Sequence, residues 1–455
     1  MLTASACGGD GADGPDDTTP TAAAAETGTD FSLSYDVPER WDADSVTAVL
    51  ESSMIGGGVN GRSVVADGAL FVGEGLNQVK RATEEGTELL DVTPLKSSSV
   101  EQQDFRMEGF RRNDTDFVAL WRQGVPESND SRRLGDENDA DREVFLTVLD
   151  SSGEVRLDGA LDGATEPGYV AGGLAKAPGE TSRQLLAYDP LTGESVSGDG
   201  GDGEESWSNE PGSPVTTVAG YDTRGNEVTT VTRRLPTSDA RLSRGEFNDY
   251  DHHANGWSSR DVLDAGDKDT VHFAGIAGDY AFFRLKRERP PFGTEVDEDL
   301  PDKFVVHIPD GTVAYSGNED CLDNRTTSLE PDVGDSTRRA AFTSADQSVI
   351  VRGRLMLDAD RSLLTCEEVR GDLDPYVVLD DGTVYGYGEQ GSGDGAQQVA
   401  ASMQVGDEEA LMEQGSLPIH VDAGGRGWFA DAVNHSNGTD TVVAVVEPAE
   451  GGSRS

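Results

Sequence analysis

The densest run of metal-capable side chains is Asn248-Asp249-Tyr250-Asp251-His252-His253-Ala254-Asn255-Gly256-Trp257. Asp249, Asp251, His253 and Asn255 alternate, which would set oxygen and imidazole donors on one side of a loop. Oxygen donors suit Ca²⁺, and an imidazole suits Zn²⁺. The spacing is not that of an EF-hand, whose glycine and terminal glutamate are misplaced here. The run therefore also reads as a polar, turn-rich surface loop. Two further acidic runs, Asp136-Glu137-Asn138-Asp139-Ala140-Asp141 and Asp199-Gly200-Gly201-Asp202-Gly203-Glu204-Glu205, attract cations weakly or are simply solvated. No GxSxG elbow, HExxH pair or Walker A loop occurs. Gly56, Gly58 and Gly61 fit GxGxxG, but they follow a helix candidate and precede a strand. That reverses the dinucleotide-binding context, so they read as a flexible turn.

The N-terminal stretch Met1-Leu2-Thr3-Ala4-Ser5-Ala6-Cys7, followed by Gly8-Gly9-Asp10-Gly11, resembles a lipobox and the start of a mature bacterial lipoprotein. The resemblance implies lipid on Cys7, a chain standing outside the cytoplasm, and contact with the membrane through that anchor alone. The basic region and the apolar stretch of roughly 7–15 residues that a secretory signal needs would then lie upstream, from an earlier start. The other reading is a chance Cys in a cytoplasmic terminus. Residues 8–30 are mostly Gly, Asp, Thr, Pro and Ala, with no Lys or Arg. Such a segment buries too little apolar area to offset its ordering entropy. It reads as a tether of ~75–80 Å when extended and ~25 Å as a coil. Export would also place Cys321 and Cys366 in an oxidising compartment, where the two could pair. A bridge with 44 residues between its ends would constrain the unfolded chain by about 4 kcal/mol in the chain-entropy model. The alternative is two buried thiols.

The chain has 455 residues, with 86 acidic against 36 basic side chains and a formal net charge of −50. A field of that sign repels nucleic acid and anionic headgroups, so no nucleic-acid partner is expected. Nothing approaches 18 consecutive apolar residues, so no membrane-crossing helix is expected. The hydrophobic share of 35% is low but spread along the chain, which permits one long all-β unit.

The elements that must position these residues read as strands. Val64-Val65-Ala66-Asp67-Gly68-Ala69-Leu70-Phe71-Val72 is two apolar runs about an Asp-Gly turn. The form recurs around Asp150-Ser151-Ser152-Gly153, Asp189-Pro190-Leu191-Thr192-Gly193, Asp222-Thr223-Arg224-Gly225, Pro309-Asp310-Gly311 and Asp380-Asp381-Gly382. Glycine supplies the positive φ of such turns, and aspartate caps them locally. Val271–Phe273, Tyr280–Leu285, Val349–Leu357, Leu417–Val421 and Thr441–Val446 are further strand candidates. Helical periodicity is confined to Ala43–Met54 and Gln397–Met403. The reading is an all-β chain forming a single β-propeller over residues 31–448, with about seven or eight four-stranded blades, long acidic loops and a tail at 449–455.

Leu186-Ala187-Tyr188-Asp189-Pro190-Leu191-Thr192-Gly193-Glu194 resembles the blade hairpin of PQQ-like β-propellers, and Asp381-Gly382-Thr383-Val384-Tyr385 is similar to that family's other frequent strand opening. With lipobox and tether, the layout resembles actinobacterial lipoproteins of that kind. The chain departs from the family where a Trp often follows the Gly-Glu pair, since Ser195-Val196-Ser197 stands there. Blade docking is therefore expected to use other residues. The resemblance implies a ring that binds an extracytoplasmic protein or small ligand on one face, or scaffolds an envelope complex, without a cofactor. The alternative is an enzyme working in the channel: a divergent dehydrogenase holding PQQ and Ca²⁺, or a metal-assisted hydrolase. A third reading is a stable surface protein with no small ligand. Fold alone does not choose among them.

Overall fold

The structure is a computed structural model that describes residues 31–52, 63–73, 78–92, 106–124, 143–178, 185–196, 214–233, 250–266, 269–287, 300–317, 342–352, 355–365, 373–390, 397–407, 410–413, 415–435 and 438–449. Strand β1 (Trp41–Ser52) comes first. Blade 1 follows as β2 (Ser63–Ala66), β3 (Ala69–Gly73), β4 (Gln78–Thr83) and β5 (Gly86–Asp91). Blade 2 is β6 (Arg106–Arg112), β7 (Thr115–Gly124), β8 (Glu143–Asp150) and β9 (Val155–Leu161). Blade 3 has three strands, β10 (Tyr169–Ala171), β11 (Leu174–Pro178) and β12 (Leu185–Tyr188), extended by a single bridge from Tyr188 to Ser195. Blade 4 is β13 (Pro214–Tyr221), β14 (Glu227–Arg233), β15 (Tyr250–Ala254) and β16 (Trp257–Ser258), then one helical turn α1 (Ser259–Val262). Blade 5 is β17 (Thr270–Ala277), β18 (Tyr280–Lys286), β19 (Lys303–His307) and β20 (Val313–Gly317). Blade 6 is β21 (Phe342–Thr343), β22 (Val349–Arg352), β23 (Leu355–Asp358) and β24 (Leu363–Thr365). Blade 7 is β25 (Asp374–Val378), β26 (Thr383–Gln390), β27 (Gln397–Gln404) and β28 (Leu411–Met412). Blade 8 is β29 (His420–Val421), β30 (Gly427–His435) and β31 (Gly438–Pro448), and β1 pairs onto β31 as its outer strand.

The eight sheets form a propeller ring. The first strands of neighbouring blades lie against one another, as β2 does with β6, β6 with β10 and β13 with β17, so they surround the axis. The pairing of β1 with β31 joins the two ends of the chain and closes the circle. Apolar clusters fill the spaces between consecutive blades. Trp121, Leu146 and Val148 of blade 2 meet Ala175, Ala177 and Tyr188 of blade 3. Leu70 and Val72 of blade 1 meet Trp428, Val443 and Leu50 across the closure. Middle strands are buried on both faces, as β8 is from Val144 to Asp150. They therefore read as continuous apolar runs rather than alternating ones.

The turns explain the hairpins. Asp150 N–H donates to Glu154 O at 3.0 Å, and Gly153 N–H returns to Asp150 O at 2.9 Å. The Asp150 carboxylate accepts the N–H groups of Ser152 at 2.9 Å and Glu154 at 3.0 Å. Gly153 has φ 87°, a region that costs other residues. Asp222 with Gly225, and Asp422 with Gly425, repeat the pattern. One aspartate and one glycine thus define each of these bulged turns.

Two helix candidates are corrected. Ala43–Met54 falls mostly in β1, whose register against β31 shifts between Trp41 and Val46 and again between Val46 and Ala48. Those bulges break the period-2 pattern and leave apolar spacing that mimics a helix. Gln397–Met403 lies in β27, where Ala400, Ala401, Ser402 and Met403 are all buried. Burial on both faces removes the alternation that marks a strand. Val349–Leu357, read as one strand, spans the pair β22 and β23. Within Leu417–Val421 only His420–Val421 is a strand.

Polar latches join the blades in place of a repeated tryptophan. Arg81 Nε donates to Ser151 O at 2.8 Å between blades 1 and 2. Arg112 grips both oxygens of Asp189 at 2.6 and 3.1 Å between blades 2 and 3. Tyr221 N–H donates to Gly172 O at 2.7 Å between blades 3 and 4. Trp257 Nε1 donates to Ile308 O at 2.7 Å between blades 4 and 5. Asp346 N–H donates to Asp380 Oδ1 at 3.0 Å between blades 6 and 7. Arg40 pairs with Asp381, and Arg426 with Glu84, on either side of the closing blade.

Candidate functional site

In a four-stranded meander the first and third turns fall on one edge, and the second turn and the link to the next blade fall on the other. The Asp-Gly turns therefore share one face of the ring. The strand ends flanking the long acidic segments 125–142, 197–213, 234–249, 288–299 and 318–341 share the opposite face. The turn face holds a cavity of about 300 Å³. Its walls come from four blades: Arg111 and Asp114 from blade 2, Thr223 from blade 4, Asp279, Tyr280 and His307 from blade 5, and Asp346–Ser348 with Ala359 and Asp360 from blade 6.

Blades 2 and 6 stand opposite each other in a ring of eight. Even so, Arg111 Nη1 reaches Ala345 O of blade 6 at 2.8 Å. The turns thus converge over the axis, and Arg111 spans the mouth. The turn of blade 4 is equally close to that of blade 2, since a Cβ on Gly225 would sit 1.8 Å from Asn113 Oδ1. Convergence of turns brings together side chains that lie up to about 250 residues apart in sequence.

Two carboxylates of this mouth, Asp279 and Asp346, are held by hydrogen bonds from neighbouring threonine and serine residues. Asp279 Oδ1 accepts from Thr223 N at 3.2 Å and from the Thr223 hydroxyl. Asp346 Oδ1 accepts from Ser344 Oγ at 2.7 Å and from Ser348 N and Oγ at 2.9 and 2.7 Å. Burial acts to raise the pKa of Asp346, but those hydrogen bonds outweigh it and hold the carboxyl below the usual range. His307 Nδ1 lies 2.8 Å from Asp310 Oδ1. The Thr312 N–H, and then His307, push Asp310 down to about 2. The Tyr280 and His307 rings are 5.1 Å apart. Burial first, and then the charges of Asp279, Asp310 and Asp360, push the Tyr280 phenol up. Four aspartates therefore line the mouth against one arginine, whose guanidinium is already engaged with Ala345 O and lies 3.7 Å from Asp116. The arrangement presents fixed acceptors and two ring faces to a positively charged group.

The residues singled out in sequence are distributed differently. Cys7, Cys321, Cys366 and Asp249 lie outside the described residues. The Asp251–Asn255 segment is not simply a loop. Tyr250–Ala254 is β15, paired to β14 with Val231 opposite Asp251. On that strand His253 is exposed. Asn255 sits in the following turn at φ 48° and donates its amide to Ile308 O at 3.3 Å, joining blade 4 to blade 5. His252 is buried against Phe273 and Phe283 at 5.0 and 5.1 Å. Burial, and then His253 and His272, push it down to about 3. Among the described residues no three His, Cys, Asp or Glu side chains gather closely enough to hold a metal ion, and no helix is long and apolar enough to cross a membrane. The mouth itself was missed in sequence. Only the turns at Asp222–Gly225 and Pro309–Gly311 were visible, each with a sufficient local explanation, and the turns that carry Asp114, Asp279, Asp346 and Asp360 bear no such signal.

No protein-family model matches the chain, and no curated protein is similar to it in sequence.

Proposed function

We propose that this chain is a membrane-tethered, extracytoplasmic binding propeller whose turn-face mouth receives a cationic group from a protein partner or a small amine. The observation that carries the reading is the convergence of Asp114, Asp279, Asp346 and Asp360 from three blades around Tyr280 and His307. Asp279 and Asp346, fixed by backbone and hydroxyl donors, need little reorganisation to accept an ammonium or guanidinium. A cup under one ring face, rather than an extended groove, suits one projecting side chain. The anchor is Cys7, and residues 8–30 are the tether that carries the ring away from the membrane. The Asp189–Glu194 hairpin supports placing the ring with PQQ-like propellers used as scaffolds and receptors.

The test is titration of the whole chain with spermidine and with short Lys- and Arg-containing peptides. The expected result is binding that weakens at 0.5 M salt and falls at least tenfold in the Asp279→Asn/Asp360→Asn variant. Equal binding by that variant removes the mouth from the proposal. Intact mass of protein from its native membrane fraction tests the anchor separately, through a diacylglyceryl adduct on Cys7.

A further inference from the structure

Two cavities of the turn face share one hairpin. The β6–β7 hairpin of blade 2 turns through Asn113 and Asp114, at φ 54° and 56°, between the paired residues Arg112 and Thr115. Positive φ at both turn residues makes a tight connection whose twist matches its strands. Arg111 and Asp114 line the acidic mouth. Thr115 and Phe117 line a further cavity of about 330 Å³, completed by Asp150 and Arg156 of blade 2 and Leu191 of blade 3. Thr115, Asp150 and Leu191 lie at first or third turns, so this cavity belongs to the same face as the mouth. The hairpin is tied in both directions. Arg111 Nη1 reaches Ala345 O of blade 6 at 2.8 Å, and Arg112 holds Asp189 of blade 3 at 2.6 and 3.1 Å. The wall between the two cavities is therefore fixed.

The chemistry on the two sides of that wall differs. In the further cavity Phe117 stacks on Phe110, with ring centres 5.3 Å apart. Leu191 packs against the apolar cluster between blades 2 and 3. These side chains make an apolar floor. Arg156 stands at the rim, where the ladder is bulged between the pairs Val148–Leu157 and Leu149–Val155; a bulge of this kind re-aims a side chain. Its Nε donates to Asp150 Oδ2 at 2.8 Å, its Nη2 donates to the same oxygen, and Nη2 lies 3.2 Å from Glu154 Oε2. The carboxylates offset the charge and hold the guanidinium plane in place. A guanidinium plane stacks on an aromatic ring, and an apolar floor favours burying one. The mouth selects a cation, whereas this cavity selects an aromatic group.

The distance between them is short. Strands β7 to β9 lie one to three strand spacings outward from β6, about 5–15 Å. Three or four residues of extended chain cover about 10–14 Å. We propose that the turn face recognises an extended segment of a protein partner, with a basic side chain in the mouth and an aromatic side chain three or four residues away in the Phe117–Leu191 cavity. The proposal rests on the mouth as a cation site, and it selects a peptide over a free amine.

The test is calorimetric titration of the whole chain with the end-capped peptide Arg-Gly-Gly-Gly-Trp, the same peptide with Ala in place of Trp, and spermidine. The expected result is that the Trp peptide binds at least tenfold tighter than the Ala peptide. That ratio persists at 0.5 M salt, where the charge-driven part of both affinities weakens. Leu191→Ala brings the ratio below about threefold and leaves spermidine binding unchanged. Should Leu191→Ala not fold, Arg156→Ala, at a half-exposed rim position, must do the same. A ratio near one on the wild-type chain, or a full ratio kept by the variant that folds, overturns the proposal; spermidine binding in the same experiment leaves the mouth standing. Absence of binding by all three probes overturns the mouth and this proposal together.

Discussion

Replacing Arg112 with Leu tests whether polar latches hold the ring together. Arg112 donates two hydrogen bonds to Asp189, at 2.6 and 3.1 Å, and its guanidinium lies 3.5 Å from the centre of the Tyr221 ring. The two charged side chains are only 11% and 14% exposed. Removing one partner of a buried pair costs about 3–5 kcal/mol. Asp189 would keep the Leu191 N–H at 2.8 Å and the Tyr221 hydroxyl at 3.3 Å, which places the loss at the low end. The lost cation–π contact adds about 1 kcal/mol, so the expected total is about 3–4 kcal/mol at pH 7. Burial alone would raise the pKa of Asp189, but Arg112, the Leu191 N–H and Tyr221 together hold it below the usual range. A depressed carboxyl stabilises above its unfolded value of 3.8, and that contribution is lost as pH falls through the folded value. The penalty of Arg112→Leu should therefore be full at pH 7 and shrink below about pH 4. Urea unfolding followed by tryptophan fluorescence measures it, and a double-mutant cycle with Asp189→Asn isolates the coupling, expected at about 2 kcal/mol. A loss under about 1 kcal/mol at pH 7, or a coupling near zero, would mean that apolar packing alone docks blades 2 and 3.

Gly225→Ala should lower stability by about 2 kcal/mol or more, because φ 75° disfavours a side chain and the new Cβ meets Asn113 Oδ1 at 1.8 Å; removing the clash with Asn113→Ala should recover only part of the Tm. Burial pushes Glu108 up to about 7, against a hydrogen bond from Val170 N–H at 2.6 Å. Its folded value then exceeds its unfolded one, so its contribution grows as pH falls from about 7.5 toward 4.5. Urea titration should find the chain more stable at pH 5 than at pH 7.5, and Glu108→Gln should remove much of that difference. Deleting residues 1–52 removes the outer strand of blade 8 and exposes the β31 edge; light scattering should show association, and unfolding should lose its single cooperative step.

Local signals were legible in the sequence, and convergent ones were not. An aspartate followed three residues later by glycine specifies a tight turn within one segment, so the hairpins at Asp150 and Asp222 follow from types and spacing alone. Repetition of that signal over the chain sets the blade number near its observed value. The same logic fails for β1, because its partner β31 is about 390 residues away and its two bulges shift the apolar period. It fails for β27 because a strand buried on both faces carries no alternation. In both cases tertiary pairing decided the element, and local periodicity pointed elsewhere.

The mouth and the burial of Lys176 were hidden for a deeper reason. A propeller places equivalent points of every blade at the axis, so its sites are built from residues one blade-length or more apart. Asp114, Asp279 and Asp360 each occupy ordinary turn positions, and nothing local marks them as neighbours. Lys176 reads in sequence as a lysine in a short strand, where exposure is the default; the ring buries it. The clearest local cluster, Asp249 to Asn255, gave the opposite lesson. Its described part is a strand and the turn after it, with His253 exposed, His252 buried and Asn255 engaged in joining two blades. In a ring built by repetition, dense local chemistry is most simply explained by the repeat itself. The functional residues are better sought where turns from non-adjacent blades meet.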